Sequence, residues 1–267
     1  MTTAHAAAIL SIAGFSAGLA TLVRARPASG PVVRVGLAGF LLAGAISYVL
    51  VEWRLGALSP WDFLPFHLCD FAIFLATFAL LTRRPGAVEL LWFWALTGTL
   101  LAVATPAVGG SFPDWRWLLY FVMHGGVIAA AVVLVAGYGI RPRKGAPWRA
   151  FGWTAAYAAV VAVVDLVTGA NFLWLRAKPP QPTLLDWLGP WPVYLLAAGA
   201  IGLAGFHLLA LPFRAGGGAS GGLGEGASPR PPRHPLRPRR AAFPPGRLLR
   251  CPRGRDAREL MAPRPRS

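Results

Sequence analysis

The chain has 267 residues, of which 55% are apolar and only 13% are charged, and its mean hydropathy is +0.53. This composition excludes a soluble globular domain and a wholly disordered chain, and it is typical of a multi-spanning helical membrane protein with short loops. The two cysteines, Cys69 and Cys251, lie in regions of very different composition, which excludes a disulfide framework.

The formal charge of +16 is concentrated at the C-terminus. Residues 214–267 carry 13 basic and 3 acidic residues, a net charge of +10, whereas residues 1–213 carry +6. This Gly-, Pro- and Arg-rich tail cannot bury a core, so we predict that it is disordered. Two interpretations stay open: a tail that binds anionic lipid headgroups at the cytoplasmic face, or the product of a frameshift in a GC-rich gene. Nucleic-acid binding is the weaker interpretation, and we predict membrane lipids as the partners.

Seven apolar stretches in residues 1–213 are long enough to cross roughly 30 Å of hydrocarbon as helices. They predict an all-α fold, a polytopic bundle of about seven transmembrane helices. The first stretch is not a signal peptide, because its positive charges follow the apolar run. The predicted helices are Ala6–Val23, Gly36–Glu52, Phe63–Leu81, Val88–Thr105, Leu118–Gly139, Phe151–Thr168 and Trp191–Phe213.

The distribution of Lys and Arg predicts the orientation of the bundle. The connections after helices one, three and five carry nine such residues, and those after helices two, four and six carry four. By the positive-inside rule the N-terminus is predicted outside and the C-terminus in the cytoplasm, on the same side as the basic tail.

Ionisable residues gather in the predicted outer half of the bundle. The stretch Pro65–Asp70 places His67, Cys69 and Asp70 at the start of helix three. His124 of helix five and Asp165 of helix six reach a similar level. Because ionisable side chains are costly in hydrocarbon, this convergence predicts a functional site.

Cys69 and His124 are the candidate catalytic pair. A lone thiol in a membrane helix is compatible with a small buried residue, but near a helix start it is also favoured as a nucleophile. His124 is the natural base, and Gly125-Gly126 beside it permits close approach of another helix or a ligand. A thiol with a neighbouring imidazole supports covalent acyl transfer.

The other polar residues have predicted supporting or substrate-binding roles. On a helix, His67 points away from Cys69 and shares a face with Asp70, which favours a His–Asp hydrogen bond over a metal chelate. Asp70, Asp165 and Asn171 are all candidates to orient the imidazole of His124, and the sequence leaves that choice open. We predict neither a metal nor another cofactor, since no zinc-type spacing or phosphate loop is present.

As an ordered set, several motifs in residues 35–213 resemble those of the YwaF-like bacterial integral membrane proteins. Phe172 stands where that family usually has Tyr, and the tail after Phe213 has no counterpart there, which favours the frameshift interpretation. The matching motifs are Pro65–Asp70, Gly98, Thr105-Pro106, Phe112-Pro113, His124-Gly125, Gly169-x-Asn171-Phe172, Lys178-Pro179 and Leu185-Asp186-x-Leu188-Gly189-Pro190-Trp191-Pro192-x-Tyr194.

The resemblance implies a multi-pass protein of the bacterial inner membrane. The YwaF-like family is in turn distantly similar to eukaryotic multi-spanning lipid acyltransferases that use a membrane Cys and a His, and position carries those roles onto Cys69 and His124. The leading hypothesis is therefore a lipid acyltransferase or acyl hydrolase. The alternatives are a small-molecule or ion transporter and a metal-binding membrane protein, both without catalysis; the crowding of polar residues in one half of the bundle disfavours transport.

Overall fold

The computed structural model describes residues 2–56, 64–106, 108, 110–180 and 183–214, and these are helical without any strand. Six of the seven helices in this part of the chain are long and apolar enough to cross a membrane, the exception being the third, which confirms the predicted all-α bundle. Most of the predicted tail, 215–267, lies outside the described residues. The helices are α1 Thr3–Ala25, α2 Gly30–Arg54, α3 Leu68–Thr82, α4 Pro85–Ala104, α5 Trp115–Gly137, α6 Ala146–Thr168 and α7 Val193–Arg214.

Consecutive helices run in opposite directions, so α1, α3, α5 and α7 begin at one end of the bundle, which we call the N-terminal end. Two contacts show this arrangement for α1 with α4 and for α2 with α5. A ring nitrogen of His5 in α1 lies 2.8 Å from the carbonyl oxygen of Val103 near the end of α4. The carboxylate of Glu52 near the end of α2 pairs with Arg116 at the start of α5.

The prediction that helix three begins at Phe63 is wrong, because α3 begins only at Leu68. Pro65 disfavours a helical conformation in the residue before it, and His67 is extended, with φ −66° and ψ 144°. The 15 residues of α3 rise about 22 Å, less than the roughly 30 Å of a hydrocarbon core. At its other end the Arg83 guanidinium lies 5.7 Å from the ring centre of Tyr138, just past α5. Since α3 ends level with α5, it begins inside the apolar layer.

Helix α5 is the central element, and it packs against α1, α2, α3 and α4. Its middle is made of small residues that let neighbouring backbones approach. A Cβ atom added at Gly125 would lie 2.7 Å from Ile12 of α1, and one at Gly126 would lie 2.8 Å from Leu41 of α2. Close packing of small residues is the main attraction between helices in lipid, where hydrophobic burial offers little.

A buried carboxylate ties α4 to the α5–α6 connection. Glu89, near the start of α4, accepts hydrogen bonds from Arg143 Nε at 2.7 Å, from the Arg143 backbone N–H at 2.8 Å and from Arg149 Nη2 at 3.0 Å. Hydrogen bonding to Glu89 raises the pKa of Arg143, which lies in the connection outside the apolar spans. In the sequence, both arginines contributed only to the predicted orientation of the bundle in the membrane.

A second ion pair fastens the N-terminal end. Arg116 donates from Nε to Glu52 Oε1 at 2.6 Å and from Nη2 to Oε2 at 3.0 Å, a two-pronged geometry that matches the guanidinium to the carboxylate. Glu52 is buried, while Arg116 reaches the surface. The two pairs together fix how far α2, α4, α5 and α6 slide along one another.

We expect Glu89→Gln to lower the midpoint of thermal unfolding by several degrees in detergent, because an amide has half the acceptor capacity and leaves two guanidinium groups without a counter-charge. Lys144→Gln is the matched control, since it introduces the same amide in the same connection at an exposed side chain. An equal midpoint for the two variants would contradict a stabilising role for Glu89.

Candidate functional site

A hydrogen bond between α4 and α5 places His124 near the level of Gly98 in α4. The Tyr120 hydroxyl of α5 donates to the carbonyl oxygen of Ala102 of α4 at 2.8 Å, which sets those two residues side by side. His124 lies four residues further along α5, and Gly98 lies four residues back along the antiparallel α4. Both steps are about one helical turn in the same direction, so His124 and Gly98 share one level.

The start of α3 reaches the same level. A Cβ atom added at Gly98 would lie 3.0 Å from Leu68 Cδ2, so the first residue of α3 packs directly over this glycine. Gly98 belongs to a π-helical segment, Ala95–Thr99, which interrupts the regular turns of α4; such segments are frequent at functional sites. Cys69 follows Leu68, so the thiol and the imidazole of His124 come to one depth on neighbouring helices.

The imidazole of His124 is held by its own helix. Its Nδ1 lies 2.7 Å from the Tyr120 carbonyl oxygen, and its ring stacks on the Tyr120 ring at 4.1 Å. A carbonyl oxygen only accepts hydrogen bonds, so Nδ1 carries the hydrogen and Nε2 of the neutral ring carries a free lone pair. The orienting group is therefore this backbone carbonyl.

Cys69 is the second residue of α3, within the first turn. The predicted helix, which began at Phe63, had Cys69 further from its first residue; the difference follows from the later start of α3. Ala72 and Ala76, small residues at i+3 and i+7 on the same face of α3, are buried, and the thiol itself is half-buried. Within the described part of the chain, Cys69 is a free cysteine, and no hydrogen bond joins it to His124.

The hydrogen bond between His67 and Asp70 stays a prediction, although His67 lies in the extended position just before α3 and not inside the helix. Its ring packs against the rings of Phe172 at 5.3 Å and Trp174 at 5.8 Å. Asp70 lies in the first turn of α3 with an exposed side chain. His67 thus belongs to the contact between the start of α3 and the loop that follows α6.

Asp165 and Asn171 organise that loop. Asp165 is completely buried, and its Oδ1 accepts a hydrogen bond from the Phe172 backbone N–H at 2.9 Å. Its Oδ2 has no partner among the described residues. Asn171 accepts from the backbone N–H of Arg176 at 2.9 Å and donates to the Ala177 carbonyl at 2.9 Å. In these hydrogen bonds both side chains stabilise the loop that follows α6 and do not orient the imidazole of His124.

Tyr157 is a contributor that the sequence analysis missed. Its hydroxyl donates to the Phe66 carbonyl oxygen at 3.0 Å, and so it satisfies a backbone group just before α3. It lies eight residues before Asp165, with the fully buried Val161 between them at helical spacing. The spacing of four residues between them, which places all three on one face of α6, is the sequence signal that could have identified Tyr157.

No group of three or more His, Cys, Asp or Glu side chains in the described ranges is placed to hold a metal ion. The alternative of a metal-binding membrane protein therefore gains no geometric support from these residues.

The model of the TMEM164 family matches residues 1–210, which include all of α1 to α6 and most of α7. The chain belongs to the TMEM164 family. The match contains both Cys69 and His124, and it establishes a multi-pass integral membrane protein. No curated protein and no solved structure matches the chain. The finer resemblance to YwaF-like proteins and to acyltransferases stays a prediction.

In this TMEM164-family chain we expect Asp165→Ala to release the loop after α6. Leaving the buried Phe172 N–H without its acceptor costs about 1–3 kcal/mol, so the Phe172 amide should exchange its hydrogen about tenfold faster. Hydrogen–deuterium exchange followed by mass spectrometry measures this change. Asp165→Asn is the matched control, because its side-chain oxygen can still accept from Phe172 N–H. Unchanged exchange in Asp165→Ala would contradict the positioning role.

Proposed function

We propose that this protein is a lipid acyltransferase or acyl hydrolase in which Cys69 is the nucleophile and His124 the general base. The observation that carries the proposal is the hydrogen bond from His124 Nδ1 to the Tyr120 carbonyl, since it leaves the Nε2 lone pair available for a proton. The common level of Cys69 and His124 and the small residues beside the thiol support it.

In the first half of the reaction, His124 Nε2 takes the thiol proton and the Cys69 sulfur attacks the ester carbonyl carbon of a membrane lipid. The C–O bond of the ester then breaks, and an acyl thioester forms on Cys69. The released lipid alcohol takes the proton back from His124. No oxidant or further reactant is needed.

In the second half, the hydroxyl group of an acceptor lipid, or water, attacks the thioester carbonyl. His124 removes the proton of the attacking hydroxyl, the C–S bond breaks, and the thiolate regains that proton. An acceptor lipid gives acyl transfer, and water gives hydrolysis.

The start of α3 is suited to stabilise the oxyanion formed in both halves. The first N–H groups of a helix have no partner within the helix, and the helix dipole makes this end partly positive. Cys69 lies in this first turn, so its own backbone N–H is close to its sulfur. Preorganised donors of this kind are a large part of acyl-transfer catalysis.

We assign supporting roles to His67, Asp70, Asp165 and Asn171. Asp165 and Asn171 hold the loop whose aromatic rings pack against His67, while Asp70 lies one residue beyond the nucleophile. With the predicted orientation, this site faces the outer leaflet of a bacterial inner membrane, and its substrates are the lipids of that leaflet.

The experiment that tests the dyad uses a phospholipid with an alkyne-tagged acyl chain, supplied to native membranes. We expect the wild-type protein to acquire a tag that hydroxylamine removes, as a thioester requires. Cys69→Ala should acquire none, and His124→Ala should acquire it about 100-fold or more slowly, the usual contribution of a general base.

The chain contains a matched control for His124. His207 in α7 is also half-buried, and its Nδ1 lies 3.0 Å from the Leu203 carbonyl four residues earlier. His207→Ala should therefore label like the wild type. Equal labelling of His124→Ala and His207→Ala would contradict the dyad. Tagging that survives Cys69→Ala would contradict the nucleophile.

A comparison of cellular lipids identifies the substrate class. We expect the acyl-chain composition of membrane phospholipids to differ between cells that produce the wild type and cells that produce Cys69→Ala. An unchanged composition together with loss of solute flux in Asp70→Asn would favour transport over catalysis.

A further inference from the structure

Helices α1 and α2 diverge from their short connection, and a crevice opens between them. The 3-10 turn Pro27–Ser29 joins the two helices. Beyond it α1 packs mainly on α5, whereas α2 packs on α3 and α5, and the two helices make few direct contacts with each other. Gly125 and Gly126 of α5 form the floor of the crevice, where Ile12 of α1 and Leu41 of α2 pack against them.

The crevice has a volume of about 990 Å³ and an almost wholly apolar lining. Among the described residues on its walls, Thr3, Ser11 and the indole of Trp117 carry the polar side-chain atoms, and large apolar side chains such as Phe15 and Phe40 are about half exposed. Because α1 and α2 both have the length and composition of membrane spans, its open side faces the hydrocarbon layer.

The dimensions of the crevice favour a thin, flexible occupant. Along α1 its lining runs from Thr3 to Leu19, which is about 24 Å at 1.5 Å per residue. Ile12 of α1 and Leu41 of α2 contact two adjacent residues of α5, Gly125 and Gly126, so at the floor α1 and α2 leave a gap narrower than a helix, which is about 10–12 Å across. A hydrocarbon chain is thin enough to follow the cleft.

We propose that this crevice holds the acyl chain of a resident bilayer lipid, at a site separate from Cys69 and His124. The crevice lies against the face of α5 that carries Phe121, Val122 and Gly125. Tyr120 and His124 lie on a different face, towards α4. The bound chain fills the space between α1 and α2, so that both helices keep their separate contacts with α5.

The test uses a phosphatidylcholine with a diazirine in its acyl chain, incorporated into nanodiscs with the full-length protein. After a chase with unlabelled phosphatidylcholine, we expect photo-crosslinks to persist on the α1 and α2 residues that line the crevice. Crosslinks on Leu166 and Val167, exposed side chains of α6, should be lost in the chase because freely contacting lipid exchanges.

Two glycines of α2 give a matched pair of variants. A Cβ atom added at Gly36 or at Gly39 meets no atom within 4 Å, so both positions have open space at the start of an added side chain, but only Gly36 lines the crevice. Gly36→Phe should reduce the persistent crosslinks at least fivefold, and Gly39→Phe should leave them unchanged. Ser11→Leu, on the facing wall, should repeat the effect of Gly36→Phe.

Equal crosslinking of Gly36→Phe and Gly39→Phe would overturn the proposal. It would also be overturned if the wild type were a dimer by mass photometry and Gly36→Phe alone were a monomer, since a second copy would then occupy the crevice.

Discussion

The position of the site depends on one constraint, that irregular backbone inside an apolar layer must find its hydrogen-bond partners within the protein. Helix α3 is too short to cross the layer, so residues 64–67 lie at depth without helical hydrogen bonds. Tyr157 supplies a donor to the Phe66 carbonyl, and Tyr194 supplies one to the Trp174 carbonyl in the loop that covers this segment. Those bonds determine where α3 begins and therefore the depth of Cys69.

The rest of the bundle holds His124 at that depth. Glu52 with Arg116 fastens one end of α5, and Glu89 with Arg143 and Arg149 fastens the connection that follows its other end. Glycines in the middle of α5 bring α1 and α2 close. A common depth for a thiol and an imidazole thus follows from charges at both ends and small residues between them.

Hydropathy predicted the seven helices because a helix that crosses the apolar layer must consist mainly of apolar residues. Hydropathy did not predict the start of α3, since residues 64–67 are largely apolar although they are not helical. Pro65 was the local signal against a helix at this position. The sequence shows the charge of Glu89 but does not show its partners. Arg143 and Arg149 lie 54 and 60 residues away, and they contributed only to the predicted orientation of the bundle. In contrast, the hydrogen bond of His124 to Tyr120 has helical i,i−4 spacing, and the sequence contained that signal.

The central claim, that Cys69 and His124 are neighbours across α3 and α5, is tested most directly by crosslinking. In a Cys251→Ser background with a protease site between α4 and α5, His124→Cys provides a second thiol for a short bifunctional thiol reagent. We predict that the two fragments stay joined after cleavage. In the Val122→Cys control, on another face of α5, they should separate. Fragments that stay joined only in the Val122→Cys protein, or in neither, would contradict the claim.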